Sequence, residues 1–535
     1  MASTLALALV GVFAVYFFLR ALLRLTQDDK EPPAVETTIP FLSPILGMLT
    51  HKSNFHTHMR DATGLPVYTL RMPWFRLYVV NSAPLITAVQ RQFLTIAFPP
   101  IEAKAARHGM GGSKAAFDVL ANDMMADGSY LRTYDAAIHP AVTLGPELDE
   151  LNRASVRVLA AAIDDLQERA PQTTGLLAWV RHSMLMATTA AVFGPRNPFD
   201  DPAIEAAWLK FEPDMMFFML NLFPRVLARE SFQAREKVAA AFDAYYRAEA
   251  HLDPAASGLT KRRYQHNTEH GIPAADIGYF EIGSLFALLG STLPAAFWMI
   301  CHIFADPALL DSCRRELQAV VSQDVAGDNQ LPAYVIDIAR VRASCPVLLA
   351  TLQEVLRVRG ISTSARVVLE DHVLDGRYLL KKGATVLVPG PVQHSDPAAW
   401  GPTVGVFDHT RFLRGGKGKR HNPVAFRAFG GGVTLCPGRH FATTEILALA
   451  ALMVLRFDVQ PVANGVDVPW SMPPTINTPM AAAVATPDHD VDVEIRLRGP
   501  RDQRWRVELS GSGKLADIVG IVAEDIDPSS AIHAH

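Results

Sequence analysis

The sequence predicts a mainly α protein with small β-sheets and an amino-terminal transmembrane helix. Three observations carry that prediction. Most of residues 85–320 shows the apolar spacing of helices. Strand-like runs are short and few: "VYTLRM" and "RLYVVN" near 67–81, "RVVLED" near 366, "GRYLLKKGATVLVPG" near 376, and segments after 456 that include "VDVEIRL" at 491–497. Residues 1–19, "MASTLALALVGVFAVYFFL", contain no charged side chain. Hydrophobic residues make up 49% of the 535 and charged residues only 19%, which implies a large buried core.

The first run is near the minimum length for a helix that crosses a bilayer. Arg20 and Arg24 come directly after it, so the positive-inside rule leaves the body of the protein in the cytosol. A cleaved signal peptide is the rival. Its basic leading segment and small-residue cleavage site are not evident. Next comes "DDKEPPAVETTIPFLSP", where Pro32 and Pro33 stiffen the exit from the membrane. Residues 1–27 are thus expected to be a single-pass anchor and 28–50 a proline-rich hinge. No Gly/Ser-rich or charged linker and no internal repeat divides the rest of the chain, so 51–535 is expected to be a single domain.

A net charge of −4 argues against a nucleic-acid partner. The conspicuous basic cluster, "RFLRGGKGKRH" at 411–421, reads as a solvated loop or as a docking face for an acidic protein. The spacings of Cys301, Cys313, Cys345 and Cys436 fit neither a zinc site nor a small disulfide scaffold. Free thiols in a reducing compartment fit better. The first three sit in apolar helical surroundings as small core residues. Cys436 does not.

Residues 277–305, "IGYFEIGSLFALLGSTLPAAFWMICHIFA", carry one formal charge, Glu281. Their length would permit a second membrane span, but the interspersed Gly, Ser, Thr, Pro and His favour a helix buried through the middle of a large domain. Pro294 supplies no N–H to the Gly290 carbonyl, so the helix should open around Gly290, Ser291 and Thr292. That leaves a free carbonyl and two hydroxyls in an apolar interior. Prolines kink many helices, and Ser and Thr often bond back to the preceding turn, so this feature alone is no site. In "CPVLLATLQEVLRVRG" (345–360), Leu348, Leu352 and Val355 form a buried stripe. Glu354 and Arg357 share another face, the spacing of an ordinary surface salt bridge. Arg411 lies between aromatics in "VFDHTRFL".

The segment "FRAFGGGVTLCPGRHFA" (426–442) is the most informative. Its glycines permit positive φ or close backbone approach, and Pro437 suits the start of a helix. Cys436 therefore precedes a helix amino terminus, where N–H groups and the dipole favour a thiolate. Such a sulfur, with Phe429 beside it, suits axial ligation of a flat metallocycle. Two rivals are a nucleophilic cysteine with His440 as base and a phosphate loop. The latter lacks its Lys-Ser/Thr.

Here the sequence resembles the cytochrome P450 monooxygenases. "FGGGVTLCPG" matches their haem signature at Phe429, Gly432, Cys436 and Gly438. Glu354 and Arg357 match the family's Glu-x-x-Arg pair, Arg411 its third member, and "LFALLGSTLPAAFW" its long distal helix. The resemblance implies the P450 fold, with haem held by Cys436 and a structural ion-pair network of Glu354, Arg357 and Arg411. Four departures stand out. Thr434 replaces the usual Arg or His, and Arg366 is the substitute haem-carboxylate partner. No tryptophan-containing motif precedes residue 150. "FDHTRF" lacks the usual proline and glutamate. Gly290 occupies the position of the distal acid, with Ser291 at the alcohol position and Thr292 next.

The similarity of "STLPAAFW" and "GVTLCPGR" to the branch of sterol hydroxylases and prostacyclin synthase implies a membrane-anchored monooxygenase on the endoplasmic reticulum. Its substrate would be hydrophobic, a terpenoid, sterol-like or other secondary metabolite, and NADPH-cytochrome P450 reductase would supply electrons. Gly290, Ser291 and Thr292 would manage protons. The same branch leaves open an isomerase or dehydratase that needs no reductase, and the distal departures alone leave open a haem protein that senses or carries a ligand. Expected substrate walls are "FEPDMMFFMLNLFP" (211–224), the distal helix, Ile361 to Ser364 and "PPTINTPMA" (473–481); core packing or membrane contact is the alternative reading of these runs.

Overall fold

The apolar first run forms one helix, Ala2–Thr26, and no residue of its Leu9–Thr26 portion is buried inside the body. The structure is a computed structural model that describes residues 2–35, 37–221, 223–324, 333–413, 422–479 and 481–511. Most of the basic cluster, residues 414–421, lies outside the described residues. The chain after the first helix is pinned. The Thr26 carbonyl accepts bonds from Arg71 Nη1 at 3.1 Å and Arg76 Nη2 at 2.8 Å, two cations at a helix carboxyl end. Tyr78 donates to Glu31 at 2.7 Å, and Thr69 donates to the Pro32 carbonyl at 2.6 Å. Residues 31–35 therefore lie along the strand Val67–Met72 instead of standing free.

That strand opens a five-stranded sheet with the spatial order Val67–Met72, Phe75–Val80, Thr385–Pro389, Thr363–Val368, Ile96–Ala97. Pairing is antiparallel except between Thr385–Pro389 and Phe75–Val80. Strand alternation puts Arg366 on the same face as Val368, and both are buried. The smaller sheets include three strands the sequence pattern did not suggest: Gln172–Gly175, Ser322–Asp324 and Ala333–Asp337.

Helices make the core. Pro146–Arg169 packs on Leu176–Phe193 and on Arg439–Arg456, and Thr292–Ala305 packs on Leu176–Phe193, Pro346–Arg359 and Arg439–Arg456. Thr292 through Phe304 are all buried, which explains why that stretch is apolar on every side. The span Ala274–Ala305 is thus largely interior, as expected for a helix through the middle of a domain. It is also interrupted. One helix ends at Leu289 and the next starts at Thr292, with Gly290 and Ser291 between them.

Candidate active site

The cysteine loop is shaped by its glycines. Gly430 and Gly432 have φ of 81° and 60°, a region where a side chain is strained. A Cβ at Gly430 would sit 2.6 Å from the Thr434 carbonyl oxygen, and one at Gly431 would collide with the Arg427 guanidinium. The Phe429 carbonyl accepts the Cys436 N–H at 2.8 Å, closing the loop one turn before the helix Arg439–Arg456. The N–H groups of Gly438 and Arg439 and the charge of Arg439 act to lower the pKa of the Cys436 thiol, as the helix start predicts. Burial outweighs them, so the thiol is pushed up; the expectation of a ready thiolate holds only with a cation at the sulfur. Cys301, Cys313 and Cys345 are wholly buried, as core residues should be.

Behind this loop, Glu354 and Arg357 are not a surface pair. They are 0% and 2% exposed, and Arg357 grips both carboxylate oxygens at 2.7 and 2.6 Å. Arg411 Nε lies 3.5 Å from the same carboxylate, and the Asp408 N–H donates to it at 2.9 Å. Arg357 Nη1 continues to the His394 carbonyl at 2.8 Å, and His394 Nε2 accepts the Arg427 N–H at 2.9 Å. Arg427 in turn backs Gly431. The network thereby connects to the cysteine loop through a run of bonds. Sequence reasoning missed Arg427 and Gln90, whose side chain also packs on Gly431 and Gly432. Arg427 had a signal: a cation two residues before Phe429 among aromatic and small residues.

Arg366 is the second feature. It is 2% exposed, and burial followed by the Arg427 charge lowers its pKa to about 10. Its Nη2 donates to Thr434 Oγ at 2.9 Å, while Nη1 is buried without a partner. The departure at Thr434 and the expected substitution by Arg366 are therefore one local arrangement.

On the distal side the hydroxyls differ. Thr292 Oγ donates to the Leu288 carbonyl at 2.9 Å, while the hydroxyl of half-buried Ser291 makes no hydrogen bond with a described residue. The expected substrate walls come together only in part. Ile361 and Ser362 donate to the Ala483 carbonyl, which sets 361–364 beside 481–485. In 211–224, Phe211, Met215 and Phe218 belong to the core, whereas Leu220 and Phe223 are exposed. Met480 lies outside the described residues.

This chain belongs to the cytochrome P450 family, whose model matches residues 33–481. Its relatives include cytochrome P450 monooxygenase nodJ of Hypoxylon pulicicidum, 35% identical over 507 residues that cover 93% of this chain and 96% of that one. Another is the 7-alpha-hydroxycholest-4-en-3-one 12-alpha-hydroxylase of Oryctolagus cuniculus, 25% identical over 92% of this chain and 98% of that one. The retinoic acid bound cyanobacterial CYP120A1 shares the fold, with a TM-score of 0.66 and 16% identity over 87% of this chain and 99% of that one. Enzymes of this family are haem oxidoreductases with an axial cysteine thiolate, and a reductase supplies their electrons.

The residues present fit that group. A buried guanidinium nitrogen without a partner calls for an anion, which haem carboxylates provide. Beside the sulfur, a Cβ at Gly438 would meet no atom within 4 Å, so the loop leaves open space next to Cys436.

Proposed function

We propose that this protein is a membrane-anchored haem-thiolate monooxygenase that inserts one oxygen atom from O2 into a hydrophobic terpenoid or sterol-like substrate, with electrons from NADPH-cytochrome P450 reductase. The observation that carries this reading is Cys436, a sulfur presented at a glycine turn with open space at Gly438. The sterol 12-alpha-hydroxylase among the relatives supports the substrate class. In this reading residues 1–27 anchor the protein to the endoplasmic reticulum, 28–50 connect the anchor to the body and are held along Val67–Met72 at 31–35, and the cytosolic domain 51–535 carries the site. Exposed Leu220, Phe223, Val226 and Leu227 suit a greasy entrance or a second contact with the bilayer.

The chain's part in the chemistry derives from its geometry. Cys436 would hold the haem iron through its sulfur, and Phe429, Gly432 and Gly438 shape the turn that presents it. Arg366, steadied by Thr434, would neutralise a haem carboxylate. Bound there, haem would supply O2 activation, tuned by the Cys436 sulfur. Ser291 Oγ is free to accept and pass on a proton, and the Gly290 carbonyl, lacking a donor at Pro294, orients a water. Thr292 holds the turn through Leu288.

The test is co-expression with the reductase, feeding of candidate terpenoids and sterols under labelled O2, and mass analysis. A product heavier by one labelled oxygen is expected. Product formed without O2 or reductase would overturn the proposal in favour of an isomerase or dehydratase, the reading that Gly290 at the acid position favours.

A further inference from the structure

The short helix Gly390–His394 is wedged between two parts of the site. Its first residue, Gly390, donates an N–H to the Ser362 carbonyl at 2.8 Å, and a Cβ at Gly390 would lie 2.6 Å from that oxygen. Its last residue, His394, is 3% exposed, and its own carbonyl accepts Arg357 Nη1 at 2.8 Å. The His394 ring meets two backbone groups whose roles cannot be exchanged. Nε2 meets the Arg427 N–H at 2.9 Å, and Nδ1 meets the Gly360 carbonyl at 3.2 Å.

A main-chain N–H only donates and a carbonyl only accepts, so the ring is neutral with its proton on Nδ1. The surroundings favour that form. Burial lowers the His394 pKa to about 4, and the charges of Arg357 and Arg427 act in the same direction. A Cβ at Gly360 would lie 3.1 Å from His394 Cε1 and closer still to the Leu356 carbonyl, so glycine is what lets the backbone come this near.

The two backbone groups belong to different parts of the site. Gly360 follows the helix Pro346–Arg359 and leads through Ile361 and Ser362 into the strand Thr363–Val368, which carries Arg366. Arg427 stands two residues before Phe429 and leads into the turn that presents Cys436. A further bond between these parts, Arg366 Nη2 to Thr434 Oγ at 2.9 Å, depends on their register. We propose that His394 is a positioning residue: its neutral ring ties the Gly360 carbonyl to the Arg427 N–H and so keeps the 361–364 wall and Arg366 in register with the Cys436 sulfur. This rests on the reading that Cys436 holds haem.

Full-length holoenzyme tests the proposal with two variants that each cut one arm. In His394→Asn the amide can still donate from near the Nδ1 position to Gly360, while the acceptor for Arg427 is lost. In His394→Gln the longer side chain can still accept from Arg427, while the donor to Gly360 is lost. For His394→Asn, the Arg427 amide should exchange its hydrogen about tenfold faster, and the thiolate-shifted band of the reduced, CO-bound protein should decay about tenfold faster, the size of one lost hydrogen bond. For His394→Gln both should match the wild type, whereas haem transfer to apomyoglobin should quicken about tenfold as Arg366 loses its register. Equal losses of every signature in both variants mark an ordinary packing position and overturn the proposal. An unchanged band lifetime in His394→Asn, or unchanged haem transfer in His394→Gln, overturns it as well. The wild type adds a measurement that no folding defect can blur: exchange of the Arg427 amide within seconds at neutral pH means that the bond to Nε2 does not exist. A wild-type protein that loads haem without a thiolate-shifted band defeats the haem-ligation reading instead, while the exchange comparison still reports on His394.

Discussion

Glu354, behind the cysteine loop, receives two bonds from Arg357 and one from the Asp408 N–H, with Arg411 alongside. The Ser291 hydroxyl, in the distal turn, makes none with a described residue, and the Gly290 carbonyl faces a proline. One side of the site is saturated with bonds and the other is short of them. A ligand must be held in one geometry, so the proximal side is over-determined. Protons must move, so the distal side keeps groups with spare capacity.

The largest effect that could break this contrast is on the proximal side. Arg357→Ala strips buried Glu354 of its two strongest bonds and leaves it only Arg411 Nε at 3.5 Å and the Asp408 N–H, and a loss of about 3–5 kcal/mol is expected. Urea unfolding measures it; a loss under about 1 kcal/mol would erase the distinction between the two sides. Arg366→Leu separates holding haem from holding the fold. Removing a buried cation with an unpartnered nitrogen should leave the apoprotein as stable or more so. Haem transfer to apomyoglobin should quicken by about tenfold or more, the equivalent of one charged hydrogen bond. Ser291→Ala should shift stability by no more than about 0.5 kcal/mol while product per NADPH falls severalfold.

The smallest effect sharpens the comparison with a second acid. Glu445 is wholly buried and held by the hydroxyls of Ser155 at 2.5 Å and Thr188 at 3.0 Å, and burial lifts its pKa to about 8. Between its ordinary 4.5 and about 8, the folded protein binds a proton that the unfolded chain has released. Stability should therefore fall as pH rises through that window. Glu445→Gln should flatten the dependence in thermal melts across the same window.

Local chemistry was legible in the sequence, and long-range pairing was not. The opening of the distal helix could be read from Pro294, because the carbonyl it deprives is only one turn back. Cys436 could be read because glycine, proline and helix pattern adjoin it. Glu354 and Arg357 looked like a surface pair, since nothing local records that the 403–411 segment buries them. Arg427 and Gln90 meet around one glycine although they stand far apart in the chain. The strand Gln172–Gly175 is polar and forms by pairing with Asp492–Ile495, and Ser322–Asp324 is exposed throughout. Neither shows the apolar alternation that marks a strand. The Met/Phe run at 211–224 was misleading because one pattern serves both core and surface: Phe218 is fully buried and Phe223 is 77% exposed.

The most direct measurement is the spectrum of the reduced, CO-bound protein with Cys436→Ala and, as a control, Cys345→Ala. The thiolate-shifted band should be present in the wild type and in the control and absent from Cys436→Ala. Its survival in Cys436→Ala, or its absence from wild-type protein loaded with haem, would contradict ligation by Cys436.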